Sequence, residues 1–348
     1  MNIKKPLIYW SFISVIVLLS SCKNDIDLDT SLAKKQLSLN AFIDADSTNN
    51  QLLVTITDPN HPVSVTNATV QVTINGNTSE TINGTADERG YYKLHGKFNA
   101  GDLVRIDVTT PDQAYHAYAE EIVPKPIEKI TKATCEYVKN VSYVDDYGAQ
   151  WVDDLHKISL SFMDNAASAD YYRLTIGTFQ TLKIIQQRGD NTKANYSYFD
   201  REPNSDYVST SDPIIMEGKV LTPDSDLGFS NSGNVPNRYG IFNDLIFSGK
   251  ECSINVYENL PNNDNSDDVK ISVDLQIVVS SYTRSAYYYL KAMNMKESSY
   301  YDDNSDLTGP IKLPSNVQGG TGIVGFYTSK AILIHAFGTD HYPGIYRD

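Results

Sequence analysis

Thr69-Val70-Gln71-Val72-Thr73-Ile74-Asn75-Gly76 is the stretch that decides the fold class. Val70, Val72 and Ile74 alternate with polar residues, so one face of an extended strand is apolar and the other wet. Asn75-Gly76 then supplies two residues that tolerate the positive φ of a tight hairpin turn. A second Asn-Gly, Asn83-Gly84, follows one short strand later. Upstream, Gln51 to Thr57 reads as a strand ended by Asp58-Pro59. Downstream, Gly90-Tyr91-Tyr92-Lys93-Leu94 leads into another strand and Ala100-Gly101-Asp102 turns the chain. Val104, Ile106 and Val108 alternate again, and Tyr115 to Ile122 ends the unit. About seven short strands with regular turns and no helical period predict a β-sandwich of the immunoglobulin or transthyretin type over residues 37–125.

Pro124-Lys125-Pro126 marks the boundary to a second unit, residues 126–348, which is predicted to be a larger β-rich domain. Its strands are Ile158 to Phe162, Tyr171 to Phe179, Ile254 to Tyr257 and Val269 to Val279. Two polar stretches, Gly189 to Ser211 and Thr222 to Arg238, read as long loops, the usual place for a binding surface. One helix is expected from Thr283 to Met295, where Ala286, Tyr289, Leu290 and Met293 recur on one face. The fold class is therefore all-β, with one amphipathic helix.

Ahead of the sandwich, Lys4 and Lys5 precede an apolar run from Pro6 to Leu19, closed by Leu19-Ser20-Ser21-Cys22. Charge, apolar length and small residues make residues 1–22 a secretory signal. The run is shorter than the about 20 residues of an ordinary spanning helix. Its last four residues resemble the bacterial lipobox, which implies acylation of Cys22 and a stable membrane anchor made of several acyl chains. Residues 23–36 lack apolar periodicity and read as a flexible tether. The acidic run Asp25-Ile26-Asp27-Leu28-Asp29 is similar to the surface-export signal of Bacteroidota lipoproteins. The expected location is the outer membrane, with the chain exposed on the surface rather than facing the periplasm.

The formal net charge is −14, and removal of residues 1–22, which carry two lysines and no carboxylate, takes it to −16. That balance repels nucleic acid and anionic headgroups, so no nucleic-acid partner is expected. Acylation of Cys22 leaves Cys135 and Cys252, each in a strand-like context, as a possible disulfide in an oxidising compartment; spacing along the chain cannot say whether they meet.

No local pattern carries catalytic chemistry. Gly320-Thr321-Gly322-Ile323-Val324-Gly325 matches a dinucleotide-binding spacing, but a strand follows it where that site needs a helix. It reads as a glycine-rich turn into the last strand. The six histidines show no metal spacing, and no nucleophile elbow is present. Asp145-Asp146 and Asp153-Asp154 are poor acid/base pairs, because strand neighbours point to opposite faces. Asn262 to Asp268 and Asp302 to Asp306 could offer calcium oxygens, although Leu307 and Leu313 break the EF-hand pattern. No cofactor, metal or catalytic residue is assigned. Tyrosine, at 24 residues, is the one surplus; most should fill half-buried strand positions, leaving a minority for a partner. Asp46-Ser47-Thr48 is similar to a short O-glycosylation sequon of Bacteroidota.

Short pieces along the chain resemble one family. They are Val65-Thr66-Asn67-Ala68-Thr69-Val70, Gly90-Tyr91-Tyr92, Asp170-Tyr171-Tyr172-Arg173-Leu174 and Asn243-Asp244-Leu245-Ile246-Phe247-Ser248-Gly249-Lys250. Tyr287-Tyr288-Tyr289-Leu290, Pro314-Ser315-Asn316-Val317 and Gly322-Ile323-Val324-Gly325-Phe326 complete the set. In this order they are similar to the Bacteroidota outer-membrane lipoproteins of domain-of-unknown-function family 4249. The first unit alone also resembles transthyretin-like modules found beside carboxypeptidases and on TonB-dependent receptors. The resemblance implies an accessory lipoprotein often paired with a TonB-dependent receptor. Together with the anchor, the absent catalytic motifs and the long polar loops, it leads to the expectation of a non-catalytic accessory or ligand-binding subunit for such a nutrient receptor, its ligand unspecified. Two further readings stay open: a structural or adhesive surface protein, and an enzyme whose catalytic groups come from distant segments.

Overall fold

The computed structural model describes residues 34–345 apart from 59–60, 85–86, 145–148, 166–167, 189–190, 207–211, 218–236, 262–267 and 298–312. The first segment supplies β1 (Leu37–Asp44), β2 (Asn50–Ile56), β3 (Val63–Ser64), β4 (Thr69–Ile74), β5 (Asn77–Asn83), β6 (Tyr91–Leu94), β7 (Leu103–Thr109) and β8 (His116–Ile122). The second supplies β9 (Ile130–Val144), β10 (Gln150–Met163), β11 (Tyr171–Arg188), β12 (Asn191–Asn204), the short helix α1 (Pro213–Glu217), β13 (Ile241–Asn243), β14 (Glu251–Glu258), β15 (Val269–Tyr282), α2 (Arg284–Lys296) and β16 (Gly320–Phe337). The all-β class holds.

The deciding stretch behaves as its alternation demands. Val70 and Val72 of β4 are buried, and Asn75 and Gly76 sit at φ 50° and 81° in the turn to β5. β5-β4-β7-β8 form a four-stranded sheet. Opposite it lies one end of a nine-stranded sheet ordered β12-β11-β15-β16-β1-β2-β3, with β6 on β2 and β13 on β11. The other end of that sheet is faced by β14-β10-β9. The chain thus builds two sandwiches that share one sheet.

The join is made by the first and last of the described strands. β1 lies parallel to β16, Leu37 opposite Gly320 through Asp44 opposite Tyr327. Val324 and Phe326 of β16 enter the first core, while Ile332, Ile334 and Ala336 pack on the second. These residues share parity, so both smaller sheets lie side by side on one face of the large sheet. α2 covers the opposite face, packing Ala286, Tyr287 and Leu290 against Ile241, Tyr282 and Tyr327.

The dinucleotide-like glycines belong to strand β16 and admit close neighbours. A Cβ on Gly322, at φ 107°, would stand 2.2 Å from the Leu39 carbonyl oxygen. The pieces that carried the family resemblance prove to be fastenings. The Tyr92 hydroxyl, fully buried, donates to the Val65 carbonyl and accepts from the Ala68 amide, both at 2.9 Å. The Asn316 side chain grips β16 through the Val324 backbone at 2.8 and 3.0 Å and bonds Glu121 of β8 at 2.6 Å.

Two expectations change in detail. The helix forms where predicted, but its fully buried residues are Ala286, Tyr287, Leu290 and Asn294, with Tyr289 and Met293 only half-buried. Asn294 belongs to the buried set because it bonds the Arg238 amide and the Asn237 side chain. The stretch from Gly189 to Ser211 is a strand for most of its length, not a loop: β12 pairs with β11 from Asn191 to Asn204. Alternation was hidden there because β12 is an edge strand wet on both faces over residues 192–200.

Candidate functional site

Two hairpins run past the same end of the second sandwich. Phe162 of β10 packs on Tyr172 of β11 at one end of the core, ring centroids 5.2 Å apart. At the other end His156 stacks on Phe337 at 5.0 Å, and Phe337 is level with Val273 and Gln180. Beyond this level β10 continues outward for six residues and β11 for eight, roughly 20 Å and 27 Å of extended chain. Exposed at or beyond this level are Tyr137, Trp151 and Val152 of the β9–β10 hairpin and Tyr196, Tyr198 and Phe199 of β12.

The rings are ordered by local bonds. The Tyr137 hydroxyl donates to Asp154 at 2.7 Å and the Tyr143 hydroxyl to Asp153 at 2.8 Å, which gives that carboxylate pair a positioning role. Tyr196 and Tyr198, two apart on β12, stack with centroids 6.4 Å apart and planes within 8°. Lys183 lies over Tyr196, and Tyr198 meets Tyr342 edge-on at 5.6 Å. Between the hairpins Arg201 of β12 reaches Glu258 of β14 at 3.1 Å. Burial raises the Glu258 pKa, against the lowering pull of Arg201. Burial alone lowers that of His156, which keeps this imidazole neutral.

On the outer face of the large sheet, at the same end, the chain after β16 folds back over β15. Gly338 turns at φ 100°, where a Cβ would strike Ser272, and the Ser272 hydroxyl oxygen accepts the Thr339 and Asp340 amides. Asp274, only 1 % exposed, then receives the segment. Its Oδ1 lies 2.7 Å from His335 Nδ1 and 3.1 Å from His341 Nδ1, and its Oδ2 accepts the Tyr342 amide at 2.7 Å. His335 Nε2 faces the Gly338 carbonyl at 3.1 Å. Burial works against a charged His335, but Asp274 and the Gly338 carbonyl outweigh it and raise the pKa above the ordinary histidine value.

This Asp-His-His group escaped the sequence reading. Its members come from strand and tail, 61 and 67 residues from Asp274 along the chain, so no local spacing reveals them. The available signal was Asp274 itself, a carboxylate between Val273 and Leu275 in a long strand, which needs partners when buried. A second group joins Asp164, Asp170 and Asp244 behind the Tyr171-Tyr172 strand. There Asp164 accepts the Tyr172 hydroxyl and, at 2.7 Å, the Gly249 amide. Burial leads the causes that raise Asp170 to about 6.

The possible disulfide is overturned. Cys135 and Cys252 are free thiols on strands flanking opposite sides of β10, opposite Ile158 and Phe162 respectively. Two strand spacings and four residues of stagger put them roughly 16 Å apart, far beyond the bridging limit of about 7 Å. Desolvation raises both pKa values, Cys135 to about 12.

Cys22, residues 222–236 of the expected loop Thr222 to Arg238, Asp145-Asp146, Asn262 to Asp267 and Asp302 to Asp306 lie outside the described residues. Asp46-Ser47-Thr48 sits in the turn between β1 and β2, with Asp46 and Thr48 exposed. No helix among the described residues is long and apolar enough to cross a membrane. Beside α2, an open cleft of about 640 Å³ is lined by Arg284, Tyr288, Pro314 and Ile323. Its one carboxylate, Glu121, is already bonded to Ser285 and Asn316. No curated protein matches the chain. A family model does: the domain of unknown function DUF4249 matches residues 23–332. With most of its length covered by that match, this chain belongs to the DUF4249 family.

Proposed function

We propose that the protein is a lipid-anchored outer-membrane subunit without catalytic chemistry, which uses the hairpin end of its second sandwich to engage a TonB-dependent nutrient receptor or that receptor's ligand. One observation carries the reading: large rings are held out in water on rigid strands. Tyr196, Tyr198 and Phe199 are about half exposed along one edge strand, with Tyr137 and Trp151 on the facing hairpin. Tyrosine and tryptophan at such density are the residues that interfaces use, because they bury much area for little side-chain entropy. Strand mounting keeps the rings in register, so little ordering cost remains for the bound state. The signal-like residues 1–22 and Cys22 supply the anchor in this reading.

The test is a mild-detergent pull-down of the acylated full-length protein from its native outer membrane, beside the variant Y196S/Y198S/F199S. A receptor retained by the parent and lost by the variant supports the assignment. A parent that purifies alone overturns it in favour of an adhesive or spacer role.

A further inference from the structure

We infer that Asp274, His335 and His341 form a binding site for a single divalent metal ion of the zinc class. The three ligand atoms, Oδ1 and the two Nδ1, lie within 4.8 Å of one another. Each imidazole Nδ1 faces the same oxygen, at 2.7 and 3.1 Å. A tetrahedral zinc ion with bonds of about 2.0–2.1 Å sets its ligands roughly 3.3 Å apart. Opening the Asp274–His335 gap by about 0.6 Å and the Asp274–His341 gap by about 0.2 Å therefore admits the ion, and both rings, 29 % and 58 % exposed, lie where a surface side chain can make such a shift.

The groups behind the ligands are those a metal site uses. The Nε2–H of His335 points at the Gly338 carbonyl, which fixes the ring and leaves Nδ1 as the ligand atom. The Tyr342 amide holds the second oxygen of Asp274, directing Oδ1 to the centre. Two imidazoles and one carboxylate suit zinc, or its neighbours nickel and copper, and suit calcium or magnesium poorly. Coordination passes any Nδ1 protons to solvent and exchanges two hydrogen bonds for three metal bonds. With three protein ligands and His341 58 % exposed, a fourth position is left open toward water. An oxygen or nitrogen donor from a ligand or partner can occupy it.

Detergent-solubilised full-length protein, stripped with chelator, is titrated with Zn²⁺ alone by calorimetry, and with Co²⁺ read by its visible tetrahedral bands. One ion per chain is expected, with the cobalt bands present. H341A removes an exposed ligand without opening the core. It should weaken binding at least tenfold, since even the loss of an outer partner costs about 10–100-fold. H95A, on the first sandwich, should leave the titration unchanged. Absence of stoichiometric binding by the parent, or binding that H341A leaves intact, overturns the site and reduces the cluster to a clasp for the folded-back tail. Neither result depends on a receptor being found.

Discussion

Gly325 of β16 lies against Ala286 of α2 so closely that a Cβ on the glycine would stand 2.6 Å from the alanine methyl. The helix rests on the sheet through this contact, between backbone and a small side chain. Gly325→Ala should destabilise by about 1–3 kcal/mol, the usual cost of overpacking a tight core. Urea unfolding measures it. A neutral outcome would mean that α2 is more loosely seated than the contact implies.

Glu258 is 2 % exposed and is ion-paired with Arg201, so removing the guanidinium strands a buried carboxylate. Arg201→Ala should cost about 2 kcal/mol, below the 3–5 of fully buried pairs because Arg201 is itself 39 % exposed. Adding Glu258→Gln should recover much of the loss. A double-mutant cycle by thermal unfolding checks both, and additive losses would refute the pairing.

Asp170 gives the protein a pH dependence of definite sign. Its folded pKa, about 6, stands above the model-compound 3.8, chiefly through burial and with Asp164 and Asp244 adding to it. Between these values the folded state holds a proton that the unfolded chain releases. Stability from this group is whole below about pH 4 and lost as pH rises through 6. Asp170→Asn should therefore raise the melting temperature at pH 8 and leave it nearly unchanged at pH 4. A gain of equal size at both pH values would contradict the burial argument.

Because Cys135 and Cys252 sit on opposite flanks of β10, reductant should not change the melting temperature. Both thiols should react slowly with a thiol reagent until the protein unfolds, their pKa values raised by desolvation. A rapid stoichiometric reaction in the native state would refute the burial of at least one.

The strands of the first sandwich were legible because one face is buried and the other wet, as Val70, Val72 and Ile74 illustrate. Residues 192–200 failed the same test for lack of a buried face, not for lack of strand structure. The family pieces were visible as short strings, but their meaning was not. Val65 to Ala68 and Gly90 to Tyr92 are tied by the Tyr92 hydroxyl across more than 20 residues. The metal-binding candidates were hidden more deeply, since Asp274, His335 and His341 become neighbours only when β15 pairs with β16 and the tail folds back.

The parallel pairing of Leu37–Asp44 with Gly320–Tyr327 also governs when the molecule can become itself. During synthesis the opening sandwich emerges with β1 bare along one side, and β16, the strand that closes it, is made only after all the other described strands. Joining ends roughly 280 residues apart adds little entropy beyond a shorter loop, because that cost grows only with the logarithm of length. It does add waiting time, during which an unpaired strand edge invites foreign partners. The N-terminal half is therefore not a module that matures on its own, and a truncated chain ending before β16 should persist as an open-edged, aggregation-prone species.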